Sequence, residues 1–479
     1  MHGDDEKNPH AVGAAAQEDI DSPAAKRAVR KMDCVILPLS ALIYLLNFLD
    51  RSNIGNAKVA GLAKDLHLSP RQYLICVTAT YILYILFELP SNLLLKRVGA
   101  HIMVPLMVVT WGSVSCLTGL VQNFSGLFAA RLFLGLCEAG LFPGLILYLS
   151  MFYRRRELQT RISVFFGSAS LSGAFSGLLA AAIVNLDGKG GEEGWRWIFY
   201  LEGLATALFG VALFFIFPRD PQGCRFLTQE ERNLVDRRLA ADVPPGTAVA
   251  SADRFSFQEL KVALSSPQVL LVAIALFGNG ATLYALAYFT PTIVGGFGYN
   301  TVQTQLLTVP PFVSAFVMTM LTAWFSDRYG QRGLCSMAMS VLALVGYIMF
   351  YKSLLTSVRY TALFIAITGV YSTAPALCTW INVNSAGHYR KATAVALGFI
   401  MTNSGGIAST WLFPQNEGPA YARAAKTLIA LTTLVFVFSG LNLVYLRHSN
   451  KAKARRRDDH DEADYLIEGD RHPQFVYNY

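Results

Sequence analysis

Residues 323–332 read AWFSDRYGQR, and residues 92–101 read NLLLKRVGAH. Each is a short, basic, glycine-centred turn, and each follows a long apolar stretch. Gly99 and Gly330 stand 231 positions apart. The same turn at the same point in two halves of a chain marks an internal repeat, and the repeat sets the architecture.

Working outward from the two turns, the rest of the chain is built from the same kind of stretch. A bilayer core about 30 Å thick needs about 20 mostly apolar residues per helix. Twelve such stretches occur, at 33–54, 72–94, 101–121, 125–150, 160–184, 197–217, 268–294, 303–325, 333–352, 359–383, 392–413 and 425–446. The composition agrees: 53% of the 479 residues are hydrophobic, 15% are charged, and the mean hydropathy is +0.39. An ordinary globular protein carries about 25% charged residues. A chain this apolar cannot cover a soluble surface, so the expected class is an all-α membrane protein: twelve transmembrane helices arranged as two six-helix repeats. The net charge of +8 does not point to nucleic acid, because the basic residues sit in tufts between apolar runs.

The expected organisation is a disordered tail over 1–31, a first six-helix bundle over 32–218, a central linker over 219–266, a second bundle over 267–447 and a tail over 448–479. In the linker, Thr228 with Glu231 three residues later is a capping box, which predicts a short surface helix from Gln229 to Ala241. Small residues in the fifth stretch (Gly167, Ser170, Gly173, Gly177) suit close helix packing. With the N-terminus inside, the inner loops hold twenty Lys and Arg against nine in the outer loops, which puts both termini in the cytosol. The run Arg154–Arg156 then reads as a positive-inside anchor. The sequon at Asn123 falls outside, in a loop too tight for glycosylation. The seven cysteines are odd in number and form no CxxC, so they read as buried free thiols, with no disulfide frame and no metal site.

Ionisable residues inside membrane helices are costly and call for a function. The candidates are Asp50 and Arg51 in the first stretch, Glu88 in the second, Arg131 and Glu138 in the fourth and Glu202 in the sixth. All lie in the first half. Asp50 is seventeen residues past Asp33, about 25 Å deep at 1.5 Å per residue, so it can meet Arg131 at similar depth. Glu138 follows Arg131 by two turns on nearly the same face. An arginine above a carboxylate in one cavity can take an anion and a proton together. Protonation of Glu138 removes a buried negative charge, and a substrate carboxylate beside Arg131 restores it. Glu88, just before Pro90, reads as a hydrogen-bond partner for a broken helix backbone. Glu202, after the interfacial WRW, reads as structural. The second half offers uncharged polar tips instead: Asn279, Tyr284, Tyr371, Trp380, Asn384 and Asn403 join Tyr44 and Tyr84 of the first half as substrate-contact candidates.

The turn at 323–332 resembles the major facilitator loop motif G-x-x-x-D-R-x-G-R, with Ala323 in place of the first glycine, with Asp327, Arg328 and Gly330 in register, and with Arg332 one residue beyond the last position, where Gln331 stands. The resemblance makes this a gating latch. Its first copy supplies Lys96, Arg97 and Gly99, but Lys96 replaces the acid and Ala100 the last arginine. Seven further strings occur in order: NFLDRSNIGNA (47–57), FELPSN (87–92), RLFLGLCEAGLFPG (131–144), YRRRELQTR (153–161), GWRWIFYLEG (194–203), FLTQEER (226–232) and YFTPTIVGGFGY (288–299). Together they resemble the anion:cation symporter family, within it the fungal allantoate/nicotinate permease-like branch. The resemblance covers about residues 30–450. It implies a major facilitator fold, a monomer in the plasma membrane, and uptake of a small organic anion with protons. It also implies that Asp50 and Glu138 handle protons while Arg51 and Arg131 hold substrate.

Other functions fit less well. The chain has no G-x-x-x-x-G-K-[ST] loop for ATP, and neither HExxH nor a nucleophile elbow for an enzyme, so no cofactor is called for. A drug/proton antiporter would carry a Gly-Pro motif in the fifth helix, and GSASLSGAFSGLLA (167–180) lacks the proline. A sugar facilitator would carry Pro-Glu-Ser-Pro-Arg after the sixth helix, and FPRDPQG is only loosely similar. A nutrient sensor that signals without transport would have a long cytosolic extension.

Overall fold

The computed structural model describes residues 22–241, 257–386, 388–413, 420–455 and 469–479. The described residues hold helices and turns and no strand. In chain order the helices are α1 (Pro23–Val59), α2 (Pro70–Val98), α3 (Ala100–Thr118), α4 (Phe124–Glu138), α5 (Leu141–Ser150), α6 (Arg155–Ile183) and α7 (Gly194–Ile216). Two short helices follow, α8 (Gln229–Ala241) and α9 (Phe257–Leu264). The second set is α10 (Pro267–Gly295), α11 (Thr301–Tyr329), α12 (Arg332–Lys352), α13 (Thr356–Val383), α14 (His388–Thr410) and α15 (Ala422–Ala454). With α4 and α5 counted as one interrupted segment, these make the twelve spans of the expected fold. By length and composition, ten of them are apolar enough to cross a membrane. The other two, α2 and α14, intersperse polar residues such as Glu88 and Asn403.

The expected fourth stretch is continuous, and the structure breaks it. Pro143 has no N–H for the carbonyl of Ala139 and its ring collides with that carbonyl in a helix. The chain responds with an extended Ala139 and a left-handed Gly140 at φ 87°. The break falls directly after Glu138, at the end of α4. Pro90, by contrast, lies within an unbroken α2.

Helix faces sort by solvent. On α2, Tyr81, Tyr84 and Glu88 are buried while Leu86 is 63% exposed, so one face looks into the protein and the other toward lipid. The small-residue face of α6 packs on α11: a Cβ on Gly173 would strike the Phe312 ring and one on Gly177 the Thr308 hydroxyl. Three of the seven cysteines depart from the expected burial, since Cys34 is exposed and Cys116 and Cys137 are half-buried on membrane helices.

α1 begins and α15 ends at one face, called here the terminal face. There α8 caps the helix ends. Its capping box is formed, with the Glu231 N–H donating to Thr228 Oγ1 at 3.3 Å and the Thr228 N–H to Glu231 Oε2 at 3.0 Å. Lys31 pairs with Glu231 at 2.7 Å, Arg161 with Asp33 at 2.7 Å and Arg238 with Glu157 at 2.6 Å, joining α8, α1 and α6. Residues 469–479 stitch the bases of α12–α15. Asn384 donates to the Asn478 carbonyl at 2.9 Å and accepts its N–H at 2.8 Å. Asn450 pairs with the Tyr477 backbone in the same two-way fashion, at 2.9 Å each. The Arg332 N–H donates to the Tyr479 carbonyl at 2.7 Å.

Candidate functional site

Near mid-membrane, four helices meet through one hydrogen-bonded run. Arg51 of α1 donates its Nε to Glu138 Oε2 of α4 at 2.7 Å and its Nη1 to Tyr284 Oη of α10 at 2.7 Å. Tyr284 Oη donates to Asn403 Oδ1 of α14 at 3.3 Å. The Arg51 guanidinium lies 4.6 Å from the Tyr84 ring centroid, with Phe48 and Tyr284 at 5.8 Å, a three-sided aromatic cage. Arg51 is 5% exposed and Glu138 is fully enclosed. Arg51 thus links one carboxylate of the first six helices to a phenol and an amide of the last six.

Asp50 points the other way. It accepts from Trp111 Nε1 and Ser115 Oγ of α3, both at 2.8 Å. Successive helical residues are turned by about 100°, so adjacent Asp50 and Arg51 serve different neighbours. Arg131 is buried, with its guanidinium 5.5 Å from the Phe199 ring. It forms no ion pair with Glu138 or Asp50, and its Nε and Nη2 have no hydrogen-bond partner. The expected stacking of Arg131 over Glu138 is therefore replaced by Arg51 against Glu138. Seven residues of one helix separate Arg131 from Glu138 by about 10 Å, whereas α1 brings Arg51 to the height of Glu138.

The softer candidates divide. Tyr84, Tyr284 and Asn403 belong to the run or its cage. Tyr44 sits in an aromatic nest with Phe48, Phe142 and Phe165, beside the cluster. Asn279 donates to the Val370 carbonyl at 3.1 Å, bracing α10 against α13. Tyr371 packs edge-on to Phe312. Trp380 and Asn384 are not brought into the cluster: the Trp380 Nε1 and the Asn384 amide are spent on the Asn478 backbone at the terminal face. Glu202 accepts from Asn53 Nδ2 at 2.7 Å. Glu88 makes no bond to backbone or side chain, contrary to its reading as a helix-break partner. In the loop motif, Gly330 turns the chain at φ 65° and Arg328 lies exposed over Trp324 at 5.7 Å. Gly99 turns the first copy at φ 90°, and Arg97 is exposed. The side chains of Lys96 and Asp327 lie outside the described residues.

The sequence reading missed Trp111 and Ser115, the donors to Asp50. It also missed the Tyr81–Tyr288 hydroxyl pair at 2.6 Å, which joins α2 to α10. Their only signal is a polar tip recurring on the inward face of an apolar helix.

Both ends of the site are closed. Toward the face opposite the termini, a Cβ on Gly55 would sit 2.6 Å from the Tyr288 carbonyl, so α1 and α10 touch backbone to side. Thr78 and Thr410 meet there at 2.9 Å. Toward the terminal face, the rings of Phe142 and Phe399 meet with centroids 3.8 Å apart, tilted by 30°. A cavity beside Ser52, Ser176 and Thr308 and another beside Phe142, Asn382 and Phe399 flank the run. Each leaves room for roughly one water molecule.

Known proteins share this design. The sequence is 38% identical over 429 residues to an uncharacterized transporter of Schizosaccharomyces pombe, covering 89% of this chain and 84% of that one. It is 29% identical over 462 residues to the high-affinity nicotinic acid transporter of Saccharomyces cerevisiae, covering 95% and 85%. Among solved structures it superposes on a bacterial homolog of the human lysosomal transporter Spinster, inward-facing and unoccupied. The TM-score there is 0.66 at 16% identity, over 88% of this chain and 97% of that one. A D-xylose–proton symporter matches with a TM-score of 0.64 at 15% identity, over 84% and 97%. At such identities the likeness is one of fold alone. The Major Facilitator Superfamily profile matches residues 40–410. With twelve spans, a paired loop motif and a closed mid-membrane site in place, this chain belongs to the Major Facilitator Superfamily and is a multi-pass membrane transporter.

Proposed function

We propose that the chain is a proton-coupled symporter that takes up a small organic anion, a carboxylate of the nicotinate or allantoate kind, by alternating access. On this reading it is a member of the anion:cation symporter family and works as a monomer in the plasma membrane with both termini cytosolic. The observation that carries the reading is the buried run Glu138–Arg51–Tyr284–Asn403. It supplies one guanidinium for a carboxylate, one acid for a proton, and a link between the two six-helix sets.

The chemistry is an exchange of partners on Arg51. With Glu138 ionised, the pair is neutral and the helices stay tied. Protonation of Glu138 leaves the Arg51 charge uncompensated, and a substrate carboxylate then becomes its counter-ion. Proton and anion therefore enter together. Arg131, with two unpaired donor nitrogens, offers a second contact for the anion. The closed, water-sized cavities mean that substrate entry requires the sets of helices to part. The similarity to a nicotinic acid transporter supports the choice of cargo.

The test is uptake of radiolabelled nicotinate into proteoliposomes under an imposed proton gradient. Glu138→Gln should abolish gradient-driven accumulation. Unchanged accumulation in that variant would remove Glu138 from the coupling role.

A further inference from the structure

Glu88 is the one carboxylate of the buried cluster to which nothing donates. Both of its oxygens are sealed from solvent and neither has a hydrogen-bond partner. The residue is 2% exposed, on the same face of α2 as Tyr81 and Tyr84. Tyr84 is one turn before it, with its ring against the Arg51 guanidinium. Its charge environment is narrow. Arg51 on α1 is its cationic neighbour, and Tyr84 on its own helix and Tyr284 on α10 feel its charge, as they feel that of Glu138 on α4. The described parts of α3, α5 and α14, which also pack on α2, place no acid or base against it.

A charge count of the cluster assigns its state. The buried guanidiniums are Arg51 and Arg131, and the buried carboxylates are Asp50, Glu88, Glu138 and Glu202. Two positive groups balance two negative ones, so the closed cluster is neutral only if two carboxylates carry protons. Asp50 has two donors and Glu138 has Arg51. Glu202 has a single amide donor and Glu88 none. A buried charge without a partner is the costliest arrangement available to a side chain. Glu88 is the first of the four to be neutral.

We propose that Glu88 is a second proton-carrying group, held as the neutral acid while Arg51 is engaged by Glu138 or by a substrate carboxylate and giving up that proton when Arg51 has neither counter-ion. The proposal deepens the proton-coupled reading above and rests on it. The step is a simple acid dissociation: the Glu88 O–H breaks, the electron pair stays on the carboxylate, and the proton leaves through the opened cavity. Arg51 then has a carboxylate on either side of its cycle, one bonded in the closed form and one in reserve.

Two measurements test this on the full-length purified protein. The first needs no substrate. Infrared difference spectra in H2O and D2O at neutral pH should show the C=O stretch of a carboxylic acid free of hydrogen bonds. The band should persist in Glu138→Gln, be lost in Glu88→Gln and return, shifted, in Glu88→Asp. A spectrum unchanged by Glu88→Gln, or a wild type without the band, overturns the proposal. The second uses nicotinate in proteoliposomes. Glu88→Gln should retain exchange of labelled for unlabelled nicotinate at equal pH while losing at least tenfold in gradient-driven accumulation. Equal accumulation in wild type and variant overturns the proposal. A wild type that moves no nicotinate sinks the choice of cargo instead, and the infrared result still decides Glu88.

Discussion

Arg51 and Glu138 approach to 2.7 Å with neither side chain open to solvent, on helices that enter the membrane from opposite faces. Desolvating two charges offsets most of what their attraction contributes, so such a pair adds little net stability while intact. Removing one partner is different, because the survivor is left charged and unpaired. Arg51→Leu alone should lower stability by about 3–5 kcal/mol, read as a fall in the detergent-solubilised melting temperature. The double variant Arg51→Leu with Glu138→Leu should recover most of that loss. A double variant no more stable than the single would show that packing, not charge, sets the cost.

Arg131 presents two unpaired nitrogens in a fork, and a lysine there keeps the charge but loses the planar geometry. Arg131→Lys should weaken nicotinate binding about tenfold, equivalent to about 1.4 kcal/mol. Calorimetric titration of the purified variant checks it. Equal affinity would show that Arg131 does not grip the anion through its fork.

Gly140 holds a left-handed turn whose added Cβ would lie 2.7 Å from Ser91 Cβ, between α2 and the break after Glu138. An L-residue in that backbone region costs about 1–2 kcal/mol, and the clash adds to it. Gly298 has a similar φ of 91° with nothing within 4 Å, so Gly298→Ala isolates the backbone part. Thermal unfolding should rank Gly140→Ala below Gly298→Ala. Equal melting temperatures would mean that Ser91 moves aside freely.

The Lys31 ammonium, hydrogen-bonded to Glu231, holds that carboxyl below the usual carboxylate range, aided by the Thr228 backbone. A carboxylate with a depressed value binds fewer protons folded than unfolded. Its stabilisation is therefore complete above the ordinary carboxylate range and is lost as pH falls through the folded value. Lys31 is partly exposed, so the effect is small, about 0.2–1 kcal/mol. Lys31→Ala should lower the melting temperature at pH 7, and the gap should close as the pH falls below the ordinary carboxylate range. A gap that persists in acid would assign it to lost packing of the lysine stem.

The fold was legible because lipid imposes one simple rule, a length of apolar chain per crossing, and the chain obeys it twelve times. Even α2 and α14 were found, since Glu88 and Asn403 interrupt long apolar runs without ending them. The charged inventory of the site was equally visible, as no solvated surface competes for those residues. What could not be read was pairing. Asp50 and Arg51 are neighbours in sequence and point to different helices, α3 and α4. Axial depth alone suggested Arg131 as a partner for Asp50, but depth says nothing about which helix lies across the gap. The break at Ala139–Gly140 was foreshadowed by Pro143, yet seven other prolines, Pro38, Pro90, Pro105, Pro291, Pro310, Pro311 and Pro375, lie inside helices that stay intact. Trp380 and Asn384 look like cavity residues by composition. Only the placement of residues 469–479 shows that they are occupied elsewhere.

That eleven-residue stitch has a bearing on biogenesis. Chains emerge from the ribosome N-terminus first, so every crossing can be threaded before the stitch exists. Until it arrives, the amides of Asn384 and Asn450 and the Trp380 indole N–H lack these backbone partners at the terminal face. An unfinished or prematurely stopped copy therefore differs from a finished one at a place that cellular quality control can inspect without entering the bilayer.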